Sequence, residues 1–141
     1  MKRIRFNEID EEVLEQPGIY EIHTNNGTAL KVGIGKNLRK RLIQHRDSRQ
    51  SRLKLIPGGN CSNPSDIVSK GSILAKHLFF DEIITKNFNL KTEKGRQEFL
   101  MKNCYILFEI TATREEAWLQ EQTLEDPALY RYVGRVVIRD R

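Results

Sequence analysis

Residues 17–45 read PGIYEIHTNNGTALKVGIGKNLRKRLIQH. Ile19 to Thr24 is a strand-length run rich in β-branched and aromatic residues. Asn25-Asn26-Gly27 follows, and both residue types accept the positive φ of a tight turn. Ala29 to Ile34 supplies a second strand, so the pair is expected to form a β-hairpin. Gly33 and Gly35 loosen its end, and Asn37 is placed to cap a helix. That helix runs from Leu38 to about Asp47 with Leu38, Leu42 and Ile43 as its apolar stripe.

The flanking chain extends this pattern. Asn7 is expected to cap a short helix to about Gln16, stopped by Pro17 and Gly18. Residues 48 to 65 hold the turn signals Pro57-Gly58-Gly59-Asn60 and Asn63-Pro64-Ser65 and read as a loop. The glycine pair there has no Lys-Ser/Thr after it, so it is not a P-loop. Asp66 to Phe80 has helical periodicity, weakened by Gly71, and Thr92 to Lys102 reads as a helix capped by Thr92. Tyr105 to Thr111 is a strong strand. Thr113-Arg114-Glu115-Glu116 is a capping box that opens a helix to about Glu125, ended by Pro127. Tyr132 to Ile138 reads as a last strand. The expected fold class is therefore α/β of the α+β type: a small, mostly antiparallel three-stranded central sheet flanked by helices, with a helical insertion.

With 141 residues, one domain can bury a core without staples. The apolar share of 38% and charged share of 30% exclude a disordered chain. No apolar run reaches the length of a membrane span, and nothing apolar follows Met1-Lys2-Arg3, so neither a membrane partner nor a secretion signal is expected. Cys61 and Cys104 match no zinc spacing and read as packing residues in a reduced, cytoplasmic setting. The net charge of +5 matters less than its distribution. Lys31, Lys36, Arg39, Lys40, Arg41, Arg46, Arg49, Arg52 and Lys54 form a block whose only acid is Asp47. Glu8, Asp10, Glu11, Glu12 and Glu15 precede it. So one-sided a block suits an approaching polyanion.

Four segments resemble the GIY-YIG nuclease family. Pro17-Gly18-Ile19-Tyr20 carries its first signature, and Lys31-Val32-Gly33 stands at its second. Asn37-Leu38-Arg39-Lys40-Arg41 is similar to the helix with the family's essential arginine, which falls on Arg41. His45, four residues on, is similar to a feature of some restriction-enzyme members. Glu116-Ala117-Trp118-Leu119-Gln120-Glu121 is similar to the family's second helix, and its metal-binding Glu falls on Glu121. The sequence departs from the family at Lys31, where a second Tyr is usual, at Ile34, where many members carry Lys, and at Tyr130, near a common Asn. The resemblance implies one nuclease domain over residues 1–141, with a core at about 17–48 and 104–130 and an insertion at about 49–103.

The resemblance also implies roles. Tyr20 would activate water as general base, helped by Lys31. Arg41 would stabilise charge on the phosphate, His45 would assist, and Glu121 would hold Mg²⁺ or Mn²⁺. The residue chemistry agrees. Arg offers a fixed donor fork suited to phosphate, hard divalent ions prefer carboxylate oxygen, and Arg41 and His45 share a helix face at i, i+4. That face borders the Leu38–Leu42 stripe without entering the core. Glu121 lies on the apolar face with Ala117, Trp118 and Leu124, where a carboxylate needs a partner or a task. Glu116 and Glu125 are fallback ligands. Lys36, Arg39, Lys40, Arg46 and Arg49 are expected to bind nucleic-acid backbone. Arg49, Arg52, Lys54, Lys70, Lys76 and Lys86 could let the insertion do likewise, or it could serve as a lid that completes the core. His23 and His77 read as structural.

The expected function is a metal-dependent DNA endonuclease, with RNA not distinguished from DNA and oligomeric state unread. A nucleic-acid binder without turnover stands beside it, favoured by Lys31. A protein-interaction module using the acidic N-terminal segment is a third reading.

Overall fold

The computed structural model describes residues 1–124, 126 and 128–133. The chain opens with a strand, β1 (Lys2–Arg5), a 3₁₀ turn over Phe6–Glu8 and a single-turn helix, α1 (Ile9–Glu12). The helix expected to reach Gln16 stops here because Val13 turns extended. The Val13 carbonyl accepts instead from Arg39 Nε at 2.7 Å.

The hairpin forms as expected. β2 (Gly18–Thr24) pairs antiparallel with β3 (Ala29–Gly35), and Gly27 takes the turn's left-handed φ of 92°. Tyr20 faces Gly33 and Ile22 faces Lys31 across the pair. α2 (Leu38–Asp47) starts where the Asn37 side chain accepts from Lys40 N at 3.1 Å.

The insertion differs in its first half. β4 (Leu53–Leu55) and β5 (Ile67–Ser69) form a separate two-stranded sheet. The helix expected from Asp66 begins only at α3 (Ile73–Phe80). Gly71, at φ 119°, breaks the chain direction, and Ser72 caps the new helix by accepting from Ala75 N. α4 (Glu93–Asn103) starts at Thr92 as expected. β6 (Cys104–Ile110) then runs antiparallel between β1 and β2. Thr113 caps α5 (Arg114–Leu124), and the Glu116 carboxylate reaches back to Ala112 N.

The main sheet has the order β1-β6-β2-β3 and is antiparallel throughout. It has four strands where three were expected. β1 carries a single apolar anchor, Ile4, too little to announce a strand. The whole is an α+β fold, a sheet flanked by helices. Glu125, Pro127 and residues 134–138 of the expected last strand lie outside the described residues. Tyr132 and Val133 belong to no strand.

One sheet face packs Tyr20, Ile22, Ile106 and Phe108 against Leu38 and Leu42 of α2, Leu74 and Leu78 of α3, and Phe99 and Leu100 of α4. The insertion is thus part of the main core. Truncating one of its buried leucines to Ala would cost about 2–5 kcal/mol. The other face packs Ile19 and Val32 against Ala117 of α5 and Tyr130. Cys104 is buried as expected, whereas Cys61 is exposed.

Two polar clasps tie the insertion down. Buried Arg96 donates to the carbonyls of Leu90 and Ser48 and to Gln50. The Asp81 carboxylate accepts from Arg131, from the Tyr132 hydroxyl at 2.7 Å and from the N–H groups of Ile83 and Ile84. Arg131 N and Tyr132 N also donate to the carbonyls of Ala29 and Leu30. The start of the edge strand β3 is therefore covered by backbone, which blunts it against pairing with another chain.

Candidate active site

Beyond Leu30 the β3 edge borders a cleft of about 420 Å³. Tyr20 comes from β2 and Lys31, Gly33 and Ile34 from β3. Arg41 comes from α2, Ser69, Gly71 and Ile73 from the insertion, and Arg114 and Glu121 from α5. The two helical layers meet over the end strand here, so groups far apart in sequence converge. Four of the five residues expected to be catalytic, Tyr20, Lys31, Arg41 and Glu121, line this one cleft.

Gly33 makes the Tyr20 position possible. A Cβ on residue 33 would stand 2.3 Å from the Tyr20 hydroxyl and 2.5 Å from its ring carbon. The missing side chain lets the phenol lie across β3 into the cleft wall, where Tyr20 is almost wholly buried. Burial pushes the phenol up to about 12. Arg41, close enough to hydrogen-bond it, opposes that shift in part, and Glu121 adds to it.

His45 corrects one expectation. It was to sit beside the core, yet it is fully buried behind Tyr20. Its Nε2 lies 2.5 Å from the Tyr20 hydroxyl and its Nδ1 lies 2.7 Å from Ser72 Oγ. Burial first, and then the charges of Arg41 and Lys31, hold its pKa well below 6.5. The ring is neutral at pH 7 and carries one N–H. Either Tyr20 donates to Nε2 while Nδ1–H donates to Ser72, or the directions reverse. The result is a three-residue hydrogen-bonded row that reaches from the cleft into the core. Ser72 was not expected in it. A serine ahead of Ile73-Leu74 is a legible cap signal, but its second partner lies on α2 and nothing in the sequence announces that.

Arg41 donates to the Gly71 carbonyl and to Gln44 Oε1, so the insertion loop orients its guanidinium. Arg114 is the third basic residue of the cleft, after Lys31 and Arg41, and was not expected there. It stands seven positions before Glu121, two helical turns on the same face. The expectation that Trp118 shares a packed apolar face with Glu121 does not hold, for Trp118 is 47% exposed.

The residues expected to bind nucleic-acid backbone divide differently. None of Lys36, Arg39, Lys40, Arg46 and Arg49 lines the cleft. Lys36, Lys40 and Arg49 are exposed. Arg39 lies 4.0 Å from Glu15, and Arg46 lies 3.6 Å from Asp10 and 3.2 Å from Asp47. The acidic N-terminal segment thus faces the chain's own basic helix, which reduces the positive surface expected of it. His23 pairs with Glu21 at 3.0 Å and stacks on Tyr105, while His77 stacks on Tyr132, so both lie outside the cleft.

Glu121 brings a half-buried carboxylate to the cleft wall. Glu116 is engaged at the helix cap. Among the described residues, no three His, Cys, Asp or Glu side chains gather as a metal cage. A single carboxylate still fits Mg²⁺ or Mn²⁺, which commonly bind one or two carboxylates and complete their shell with water and phosphate oxygen. No helix among the described residues is long and apolar enough to cross a membrane. Compared with protein-family models, curated proteins and solved structures, the chain matches none.

Proposed function

We propose that this protein is a metal-dependent endonuclease that hydrolyses phosphodiester bonds of DNA. The observation that carries this reading is the convergence of Tyr20, Lys31, Arg41 and Glu121 on one cleft from two strands and two helices. Hydrolysis needs an activated water, charge stabilisation at phosphorus and a path for the water's proton. The cleft offers a residue for each.

Arg41 presents paired donors to the non-bridging oxygens, and Lys31 adds a second positive charge on the same wall. A phosphodiester bound between them also acts on His45. Burial is the main reason the imidazole resists a proton, but the phosphate's negative charge offsets the two cations that add to it, so His45 becomes a better proton acceptor once substrate is bound. Water then loses a proton to the Tyr20 oxygen as the Tyr20 proton moves to His45 Nε2. The water oxygen bonds to phosphorus, and the P–O bond breaks with its electron pair on the leaving oxygen. That oxygen takes a proton from solvent, and the His45 proton returns through Tyr20 to solvent as product leaves. Ser72 holds the ring through Nδ1 during the transfer. A Mg²⁺ or Mn²⁺ ion held by Glu121 would supply Lewis-acid stabilisation of the phosphate and leaving oxygen.

The test is supercoiled plasmid incubated with the full chain, or with Glu121→Ala, in Mg²⁺ or Mn²⁺. Wild type is expected to nick or linearise it, and the variant to be slower by about 10²-fold or more. Salt-sensitive plasmid binding without cleavage in either metal would favour the second reading, a binder without turnover. The feature behind that reading is Lys31 at the second motif position. Equal cleavage by both proteins would refute the site.

A further inference from the structure

Beside the cleft, α5 carries a side chain that the hydrolytic chemistry leaves unused. Trp118 is 47% exposed, a large apolar surface to leave in water. It stands one turn after Arg114 and three residues before Glu121, both of which line the cleft. At about 100° per residue, Trp118 lies roughly 40° around the helix from Arg114 and roughly 60° from Glu121. Ala117, fully buried, marks the face of α5 that packs on the sheet. Arg114 and Trp118 thus continue the flank that Glu121 begins, outward from the cleft to its rim. Along that flank a carboxylate comes first, then a guanidinium, then an indole.

We infer that Trp118 is a stacking platform for a nucleobase, and that the substrate is a strand with an unstacked base next to the scissile phosphate. This rests on the nuclease reading. Arg41, Lys31 and Arg114 line the cleft, where their positive charges would hold the phosphates of a bound strand. An i, i+4 neighbour of Arg114 then lies within one nucleotide's reach of a phosphate held there. Any base offers a π-face to an indole, and such contacts are sequence-tolerant. In an intact duplex both faces of a base are already stacked. The site therefore favours single strands, frayed ends, bulges or a displaced base. A rival occupant is a second copy of this chain, seated on Trp118 and the adjoining Leu119, which is 60% exposed.

Trp118 is the chain's single tryptophan, so its emission reports on this position alone. The full chain, in EDTA to prevent cleavage, is titrated with oligothymidylate and with an equally long abasic deoxyribose-phosphate chain. Binding is followed separately by fluorescence anisotropy of a labelled strand. Quenching by oligothymidylate and not by the abasic chain is expected. Trp118→Ala should weaken oligothymidylate binding roughly tenfold while leaving the abasic chain unaffected, and Trp118→Phe should restore most of the loss. Equal quenching by both chains, unchanged affinity in Trp118→Ala, or emission that follows protein concentration and ignores oligonucleotide would each overturn the inference. The last result would assign the patch to self-association. The readout does not depend on turnover: plasmid cleavage without quenching sinks the platform alone, and quenching without cleavage sinks the nuclease reading alone.

Discussion

Gly33→Ala is the sharpest single perturbation of the candidate site. The added methyl would meet the Tyr20 hydroxyl at 2.3 Å, its ring carbon at 2.5 Å and a further ring atom at 2.9 Å. To reach ordinary contact the phenol must retreat by roughly 1 Å. Tyr20 is buried and bonded to His45, so the move breaks that bond and leaves His45 Nε2 without its partner. Overpacking costs about 1–3 kcal/mol, and an unsatisfied buried polar atom about 1–3 kcal/mol. A total near 3 kcal/mol lowers Tm by about 10 °C in a domain of this size. A misplacement of this kind slows a positioned reaction by about 10²-fold. Gly27→Ala is the control. Its φ of 92° strains any side chain but nothing lies within 4 Å, so a loss of about 1 kcal/mol is expected with cleavage unchanged. Plasmid nicking is measured at a temperature where circular dichroism reports both variants folded. Nicking by Gly33→Ala within twofold of wild type would refute both the placement of Tyr20 and its part in the chemistry.

Three further outcomes follow from the same contacts. Ser72→Ala removes a helix cap, about 1 kcal/mol, and the Nδ1 partner of a buried imidazole, about 1–3 kcal/mol. Cleavage should fall roughly tenfold as the ring loses its fixed orientation, and Ser72→Thr, which keeps the hydroxyl, should recover it. If Ser72→Thr is as slow as Ser72→Ala, the hydroxyl does not position the ring. His45 is neutral in the fold but takes a proton near 6.5 once unfolded, so stability rises with pH up to that value and falls as pH drops below it. Urea midpoints at about pH 7.5 and 5.5 should show this slope, and His45→Gln should flatten it. Identical slopes in the two proteins would count against a buried neutral ring. Asp81→Asn breaks the buried clasp on Arg131 and Tyr132 and should cost about 3 kcal/mol in urea denaturation. A loss under about 0.5 kcal/mol would mean that the clasp adds little.

What the sequence disclosed follows the range of the physical signal. The hairpin, α2, β6 and α5 are legible because their periodicity, turn glycine and caps lie within a few residues of one another. Thr113 and Glu116 announce a helix start by spacing alone, and Asn37 does likewise. Tyr20, Lys31, Arg41 and Glu121 were legible because each sits within or beside a motif. β1 was not, since its pairing partner lies a hundred residues away and four residues with one apolar anchor carry no pattern. β5 hid within a segment of helical periodicity that Gly71 and Ser72 in fact divide, and its partner β4 hid within a stretch whose turn signals read as loop. Arg39 and Arg46 looked like nucleic-acid ligands because sequence shows the charge of a residue and not what faces it, here Glu15 and Asp10. Ser72 and Arg114 were missed for the same reason: their importance lies in contacts made across the fold.

The row from Tyr20 through His45 to Ser72 has a consequence for when the candidate site can assemble. Its members come from the hairpin, from α2 and from the insertion, while Glu121 arrives from near the far end of the described chain. During synthesis the residues appear in that order, and the first three have no complete setting until α3 and α4 have packed behind the sheet. A ribosome-bound fragment would hold Tyr20, His45 and Ser72 before Glu121 could join them, with its basic helix already faced by Asp10 and Glu15. The candidate site is thus complete only once α5 has brought Glu121 to the cleft wall, and any activity the cleft carries must wait for that helix.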